Sequence, residues 1–247
     1  MRFTAGAYSD KGGRPHNEDS FLCAMYIGGS AGGSETEFSG FTNSPLFFLV
    51  ADGMGGHDAG DAASAFVVKS MRDAAVNEEY VFDEASLEAL VKAVHSALLK
   101  EGREKGTANM GSTLTGILLQ KDACAFFNAG DSRVYRFRNG FLQQLSRDDS
   151  LSAIIPGAAK NILTNAVGGG LSDVSVACRF SHTVVAAGDV FLMCSDGVHG
   201  FVNDDELEKF LAEKISPKEI AKRIVDAAIA NNSDDNCTAL VVKMDEE

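Results

Sequence analysis

The sequence of 247 residues predicts an α+β fold in which strands and helices form separate layers. Two observations lead to this prediction. Apolar runs of strand length follow one another, with no helical pattern between them, from residue 114 to residue 143. Helical patterns, by contrast, come in pairs: one pair covers 59–77 and 84–104, and the other covers 204–213 and 217–231. A parallel sheet would need a crossover after each strand, so it is not indicated.

Six runs have the length and composition of strands. They are Phe47–Ala51, Leu114–Leu119, Ala123–Phe127, Val134–Phe137, Val190–Cys194 and Cys237–Val242. Lys121-Asp122 marks a tight turn, and Asn139-Gly140 is a hairpin signal. We therefore expect the middle of the chain to form an antiparallel meander.

The helical patterns carry their own start and packing signals. Within 84–104, apolar residues repeat at helical spacing and form one stripe: Leu87, Leu90, Val91, Val94 and Leu98. Ser216-Pro217-Lys218-Glu219 opens the last helix with a capping box and with Pro at the first helical position.

One segment, residues 28–44, is rich in Gly and Ser and lies between two strand patterns. We expect it to be a mobile loop that joins hairpin partners, because a linker between domains would separate elements that do not pair.

Composition excludes several classes of function. The net charge of −13 disfavours nucleic acid as a partner, since a phosphate backbone would be repelled. No apolar run approaches the roughly 20 residues that a membrane span needs, and the first residues lack the pattern of a signal peptide. We therefore expect a cytoplasmic protein that binds neither nucleic acid nor membrane, and we expect a monomer.

Carboxylates recur where apolar strand patterns meet short turns. Asp52, Asp131 and Asp196 each follow such a run, and Asp234-Asp235 precedes the last one. A carboxylate at a strand end is held on a rigid element and still reaches solvent, as a site for a hard cation requires. A single Asp-Gly pair is more often a turn than a ligand, so the indication comes from the whole ordered set.

That set of motifs resembles the protein phosphatase 2C family of metal-dependent Ser/Thr phosphatases, in its bacterial branch. The matching blocks are Arg14-Pro15-His16-Asn17-Glu18-Asp19, Asp52-Gly53-Met54-Gly55-Gly56-His57, Gly111-Ser112-Thr113, Asn128-Ala129-Gly130-Asp131-Ser132-Arg133, Ser195-Asp196-Gly197 and Asp235-Asn236. They cover nearly the whole chain, so residues 1–247 are expected to form a single catalytic domain. The resemblance implies a central sandwich of two antiparallel sheets with a helix pair on each outer face.

The resemblance also implies roles for individual residues. Asp52 would bridge two Mn²⁺ or Mg²⁺ ions, with the Gly53 carbonyl on one ion and Asp196 and Asp235 on the other. Glu18 and Asp19 would hold metal-bound waters. Water activated by the two cations would attack the phosphorus of a phosphoserine or phosphothreonine, and Asp52 and Arg14 would be the catalytic residues. Arg14 suits a phosphate because its planar guanidinium can donate two hydrogen bonds. The implied partners are phosphorylated proteins and the Ser/Thr kinase that the enzyme opposes.

The sequence departs from the family at a third cation site. Many members bind a further ion at the position of Asp131, together with an Asp that corresponds here to Gly200. A third ion at Asp131 should therefore be weak or absent, and our hypothesis is that His199 or Asp204 partly substitutes for the missing carboxylate. His57 has a pKa range that suits proton transfer, but a packing or capping role is the expectation, and it is not assigned as catalytic.

The second departure is the flap. Asp148-Asp149-Ser150 takes the place of an Asp-His-Ser block, and the segment 148–160 is shorter than in bacterial relatives. We expect a shortened flap, an open site and modest selectivity among peptides. Two alternatives to a protein phosphatase stay open at this point: a non-catalytic phosphoprotein-binding module of the same fold, and a hydrolase of small phosphomonoesters.

Overall fold

The computed structural model describes residues 1–55, 59–76, 83–121, 123–155, 157–159, 162–175, 177–181 and 185–245. Its strands are β1 (Arg2–Asp10), β2 (Asp19–Cys23), β3 (Tyr26–Gly29), β4 (Glu35–Phe41), β5 (Leu46–Met54), β6 (Gly111–Ser112), β7 (Leu114–Gln120), β8 (Ala123–Ala129), β9 (Arg133–Arg138), β10 (Phe141–Gln144), β11 (Val167–Gly168), β12 (Ala177–Ser181), β13 (Val190–Cys194) and β14 (Cys237–Met244). The helices are α1 (Gly60–Ala75), α2 (Glu84–Lys105), α3 (Leu151–Ile154), α4 (Asp196–His199), α5 (Asp204–Leu211) and α6 (Pro217–Ala230). Among the described residues no helix combines the length and apolar composition needed to cross a bilayer.

The strands form two sheets that pack face to face. One sheet has six strands in the order β10-β9-β13-β14-β1-β4. The other has eight: six follow the order β11-β6-β5-β7-β8-β12, β2 also pairs with β5, and β3 pairs with β2. The named strand pairs are antiparallel. Helices α1 and α2 cover the eight-stranded sheet, and α5 and α6 cover the six-stranded sheet. The predicted α+β sandwich with helix pairs on both outer faces is confirmed.

Side-chain alternation along the central strands explains the layering. In β5, Phe47, Leu49 and Ala51 face α1 and α2, whereas Phe48 and Val50 face the other sheet. In β14, Leu240 and Val242 face the space between the sheets, and Ala239 and Val241 face α6. Successive side chains of a strand point to opposite faces. A central strand that is apolar on both faces must therefore lie between two apolar layers. The protein accordingly has three hydrophobic clusters, one between the two sheets and one between each sheet and its helices.

The two helix pairs agree with their predicted positions. The stripe of α2 is buried, with Leu87, Val91 and Leu98 fully inaccessible to solvent. The Ser216 side chain accepts a hydrogen bond from the Glu219 amide, with Pro217 at the first helical position. The predicted capping box is half formed, because the Glu219 carboxylate lies beside Arg223 (3.4 Å) one turn along the helix.

The predicted meander in the middle of the chain is wrong. β7–β8 and β9–β10 are hairpins, as the turn signals indicated, but they belong to different sheets. The chain crosses between the sheets at Gly130, whose φ of 115° is unfavourable for other residues and whose added Cβ would lie 2.7 Å from the Thr113 side chain. Apolar alternation specifies hairpins, but both sheets offer an apolar face, so it does not specify which sheet a hairpin joins.

The predicted loop at 28–44 is also wrong in its main part. Residues Glu35–Phe41 form β4, which pairs with β1 along the edge of the six-stranded sheet. Both faces of this edge strand are largely exposed, with Phe41 63% accessible, so the segment lacks the apolar signal of a core strand. The strands on either side of it, β3 and β5, both pair with β2 rather than with each other.

Candidate active site

Strand ends from both sheets meet at one end of the sandwich. Asp52 lies near the end of β5, and Asp131 follows β8 in the eight-stranded sheet. Asp196 directly follows the turn after β13, and Asp235 precedes β14, in the six-stranded sheet. These four carboxylates, together with Arg14, Glu18 and the Gly53 backbone, line one cleft of about 300 Å³. The structure thus brings together side chains that the sequence singled out, although Arg14 and Asp235 lie 221 residues apart in the chain.

Asp19 lies behind the cleft. It is directly opposite Asp52 in the pairing of β2 with β5, and its side chain is completely buried. The Ser195 hydroxyl donates a hydrogen bond to Asp19 Oδ2 (2.7 Å) and accepts one from the Thr238 amide (3.0 Å). This chain of bonds connects the two sheets directly beneath Asp196.

Glycine is required where β5 meets α1. A Cβ added at Gly53 would lie 2.1 Å from the Gly60 carbonyl oxygen and 2.7 Å from that of Glu18. A Cβ added at Gly60 would lie 1.9 Å from Glu18 Oε2. The two atoms that a Cβ at Gly53 would meet belong to the backbone, so the close approach of β5 to α1 depends on Gly53, whereas the atom nearest to a Cβ at Gly60 is the end of the Glu18 side chain.

Arg14 reaches the cleft from the loop between β1 and β2. Its guanidinium donates to Asp235 Oδ2 (2.7 Å) and to the Asp234 carbonyl (3.0 Å), and its side chain is 54% exposed. Asn236 holds this loop in place: its Nδ2 donates to the carbonyls of Lys11 (2.9 Å) and His16 (2.8 Å). Its Oδ1 accepts from the Glu18 amide (2.8 Å).

Asn236 and Thr113 are site residues to which the sequence analysis assigned no role. The Thr113 hydroxyl accepts from the Asp52 amide (2.9 Å) and lies 2.8 Å from the Ser132 hydroxyl, so it ties β5 to the turn that carries Asp131. Both residues belong to the motif blocks that the sequence shares with the family, and this membership was the signal from which a role in the site could have been inferred. Their partners lie in other segments of the chain, however, and such contacts leave no trace in local sequence.

The carboxylates are in an environment that disfavours their charge. Burial raises the pKa of Asp19 to about 7, and the charges of Asp196 and Asp235 add to this rise. Burial, followed by the charge of Asp196, likewise raises the pKa of Asp131 to about 7. The pKa of Asp52 is raised well above its ordinary value, by burial and then by the neighbouring Asp19. Burial and Asp235 also raise the pKa of Asp196. Such a cluster of like charges needs cations or protons to be stable.

Two observations test whether the residues fit divalent cations. Within the described part of the chain, no three His, Cys, Asp or Glu side chains form a ready-made metal site, and the Asp235 oxygens are bound by Arg14 and by the Asn236 amide. Asp19 Oδ1 and Asp196 Oδ1, however, are buried oxygens without a hydrogen-bond partner. Unpaired carboxylate oxygens in an all-oxygen donor set are what Mn²⁺ and Mg²⁺ bind, so the residues fit such ions.

Both suggested substitutes for the missing third-ion carboxylate make a hydrogen bond to another part of the protein. His199 Nε2 is 3.0 Å from the Asp131 backbone oxygen, so its ring is engaged with the main chain. Asp204 Oδ1 accepts from the Tyr135 hydroxyl (3.3 Å) at the start of α5. The hypothesis that either residue partly substitutes for a carboxylate at Gly200 stays a prediction. His57 lies outside the described residues.

The segment expected to form the flap lies between β10 and β11. It contains the single-turn helix α3 and closes through a bridge between Ser150 and Leu163, of which Leu163 lines the catalytic cleft. Residues 156 and 160 of the predicted segment 148–160 lie outside the described residues.

Comparison with known proteins gives a consistent result. The sequence profile of the family described as protein phosphatase 2C matches residues 35–231. The serine/threonine phosphatase stp of Listeria welshimeri is 31% identical over 249 residues, covering 93% of this chain and 91% of that protein. The crystal structure of the Mycobacterium tuberculosis serine/threonine phosphatase PstP/Ppp is 28% identical, with a TM-score of 0.81 and complete coverage of both chains. A structure of the PstP catalytic domain in complex with two manganese ions is also 28% identical over both whole chains, with a TM-score of 0.79.

Proposed function

The chain belongs to the protein phosphatase 2C family of metal-dependent protein serine/threonine phosphatases, and from this premise we propose how its own residues carry out the hydrolysis of phosphoserine and phosphothreonine. The observation that carries the proposal is the convergence of Asp52, Asp131, Asp196 and Asp235 on one cleft beside an arginine. A phosphate group would be repelled by these carboxylates alone. Bound cations reverse the sign of the local charge.

Asp52, Asp196, Asp235 and the Gly53 carbonyl are the proposed ligands of two Mn²⁺ or Mg²⁺ ions. When bound, such a pair of ions supplies an activated water at neutral pH and neutralises charge on the phosphoryl oxygens. Asp52 is suited to the central position because it lies near the end of the central strand β5, with its amide fixed by Thr113 (2.9 Å). Glu18 and Asp19 are proposed to orient metal-bound water from behind.

Arg14 is proposed to bind the phosphoryl group. Its guanidinium is half exposed at the rim of the cleft and lies 2.7 Å from Asp235 Oδ2. A salt bridge at this degree of exposure is weak and easily exchanged, so Arg14 can move from the carboxylate to a phosphate. The two hydrogen bonds that a planar guanidinium can donate then orient the phosphoryl group, so that water can attack the phosphorus from the side opposite the leaving oxygen.

The proposed substrates are phosphorylated proteins, and the proposed partner is the Ser/Thr kinase that phosphorylates them, in the cytoplasm. Resemblance to bacterial phosphatases named for Ser/Thr substrates supports this assignment. Residues 1–247 are proposed to act as one catalytic domain, because strand ends of both sheets contribute to the same cleft.

The experiment is hydrolysis of p-nitrophenyl phosphate and of a phosphothreonine peptide, with and without Mn²⁺, by wild type, Asp52→Ala and Asp196→Ala. Both variants should lose more than about 100-fold in activity, since loss of an outer-shell partner alone typically costs 10–100-fold. Asp226→Ala is the matched control, because Asp226 lies on α6 and pairs with Lys222 (2.7 Å) away from the cleft. If the wild-type protein hydrolyses neither substrate with Mn²⁺ present, the proposal is contradicted and a non-catalytic module is favoured. If it hydrolyses the aryl phosphate but not the peptide, a hydrolase of small phosphomonoesters is favoured.

A further inference from the structure

Asp149 connects the flap to the turn that carries Asp131. We define the Asp131 turn as residues 129–132, and the flap base as the two paired segments 149–151 and 162–165. The paired segments are joined by hydrogen bonds from the Leu151 amide to the Ile162 carbonyl (2.8 Å) and from the Thr164 amide to the Asp149 carbonyl (2.8 Å). Asp149 therefore belongs to the flap base by its backbone.

The carboxylate of Asp149 faces both structures. Its Oδ2 accepts a hydrogen bond from the Gly130 amide (3.2 Å), in the Asp131 turn, and one from Asn165 Nδ2 (2.7 Å), in the flap base. The Asp149 amide in turn donates to the Gly130 carbonyl (2.9 Å). Asn165 is itself fixed by hydrogen bonds with the Ser175 carbonyl (2.6 Å) and amide (3.0 Å).

The flap base supplies walls on two sides of this joint. Leu163 lines the catalytic cleft. Asp149 and Thr164 of the flap base, with Ile154 of the flap, line a second cleft of about 550 Å³ whose lining also includes Phe126. We expect a small aryl phosphate to need the catalytic cleft alone, whereas a polypeptide that carries the phosphorylated residue is larger and should also contact the flap beside it.

We propose that Asp149 is a positioning residue for protein substrates, whose carboxylate fixes the flap base against the Asp131 turn so that the wall beside the cleft is preformed. The proposal rests on the proposed function. A preformed wall favours binding because a bound peptide does not have to order it, and this gain applies to peptides in general rather than to one sequence.

Removal of the carboxylate should leave the fold intact. The Asp131 turn is also held by Asn128 Nδ2, which donates to the carbonyls of Gly130 (2.9 Å) and Arg147 (3.0 Å). Arg133 additionally forms a bidentate ion pair with Asp148 (2.7 and 2.9 Å). Asp149→Ala would therefore loosen the joint between flap and turn without releasing either element from the sheets.

The test compares phosphopeptides of several sequences with p-nitrophenyl phosphate at saturating Mn²⁺. In Asp149→Ala we expect KM for every peptide to rise at least threefold, with kcat/KM for the aryl phosphate within twofold of wild type. Asn165→Ala should give the same pattern. The peptide KM of the double variant should exceed that of the more impaired single variant by no more than twofold, because the two substitutions disrupt the same joint. Asp149→Asn should recover most of the peptide affinity, because its amide oxygen can accept both hydrogen bonds.

A second readout is independent of catalysis. Arg147 and Lys160 are the trypsin sites that bound the flap in sequence, and cleavage there should be faster in Asp149→Ala than in wild type. Asp173→Ala is the control, since its exposed carboxylate accepts from the adjacent Val174 amide (2.9 Å) and lies outside the joint. Unchanged peptide KM, or equal losses on peptide and aryl phosphate, would overturn the role of Asp149. Wild type without Mn²⁺-dependent turnover would instead overturn the proposed function.

Discussion

Replacement of Asn236 by Ala should destabilise the protein and lower its activity together. Asn236 is 5% exposed, and its side chain makes three hydrogen bonds to the loop that carries Arg14. Two are donated by Nδ2, to Lys11 and His16, and one is accepted by Oδ1 from the Glu18 amide. Alanine removes all three hydrogen bonds at once.

The expected loss follows from that count. Each hydrogen bond contributes about 1 kcal/mol net, so the variant should lose about 3 kcal/mol of unfolding free energy. In a domain of this size 1 kcal/mol shifts Tm by about 2–4 °C, so Tm should fall by about 6–12 °C. Because the released loop positions Arg14 and Glu18, kcat/KM should also fall by at least about tenfold, which corresponds to about 1.4 kcal/mol of transition-state stabilisation.

The assay is urea-induced unfolding and thermal denaturation at saturating Mn²⁺, together with hydrolysis of p-nitrophenyl phosphate. Asn231→Ala is the matched control, because Asn231 is exposed and donates one hydrogen bond, to the Phe201 carbonyl (2.8 Å). It should cost less than about 1 kcal/mol. An Asn236→Ala variant as stable as Asn231→Ala would refute the reasoning, as would full activity in a destabilised Asn236→Ala protein.

Three further predictions concern charge, ions and access. The raised pKa values of Asp19 and Asp131, both about 7, lie above the ordinary value of about 3.9. In EDTA, the free energy of unfolding should therefore fall as pH rises from about 4 through 7. Tm in EDTA should be lower at pH 7.5 than at pH 5.5, and Mn²⁺ should raise Tm most at pH 7.5. A Tm in EDTA that does not change with pH would contradict this prediction. Gly200 has ordinary helical backbone angles (φ −72°, ψ −19°). Gly200→Asp should thus bind one more Mn²⁺ than wild type in equilibrium dialysis, and a wild-type protein that already binds a third ion at Asp131 would show that Gly200 does not matter. If the flap 148–160 is short and the site open, wild type should hydrolyse p-nitrophenyl phosphate and phosphopeptides at comparable rates. It should show modest preference among peptides, and strong discrimination within a panel of phosphopeptides would count against an open site.

Much of the architecture could be predicted because it follows from the local periodicity of apolar residues in the sequence. The apolar stripe of α2 and the doubly apolar β5 and β14 each determine which faces must be covered. The crossing at Gly130 and the edge strand β4 could not be predicted, for different reasons. Either sheet could accept the hairpin that follows Gly130, and β4 is held mainly by backbone pairing with β1, to which its exposed side chains contribute little.

For the site, the sequence alone determined the chemistry: carboxylates at strand ends and a guanidinium, in a characteristic order of motifs. The tertiary structure decided which of them meet and what holds them. Asn236 fixes the loop of Arg14, Thr113 fixes Asp52, and Asp149 connects the flap to the Asp131 turn, each through hydrogen bonds to partners distant in the chain. It also decided that His199 and Asp204 are engaged elsewhere. The physical reason is that residue type determines what a side chain can bind, whereas the fold alone sets the distance and direction of a hydrogen bond between segments.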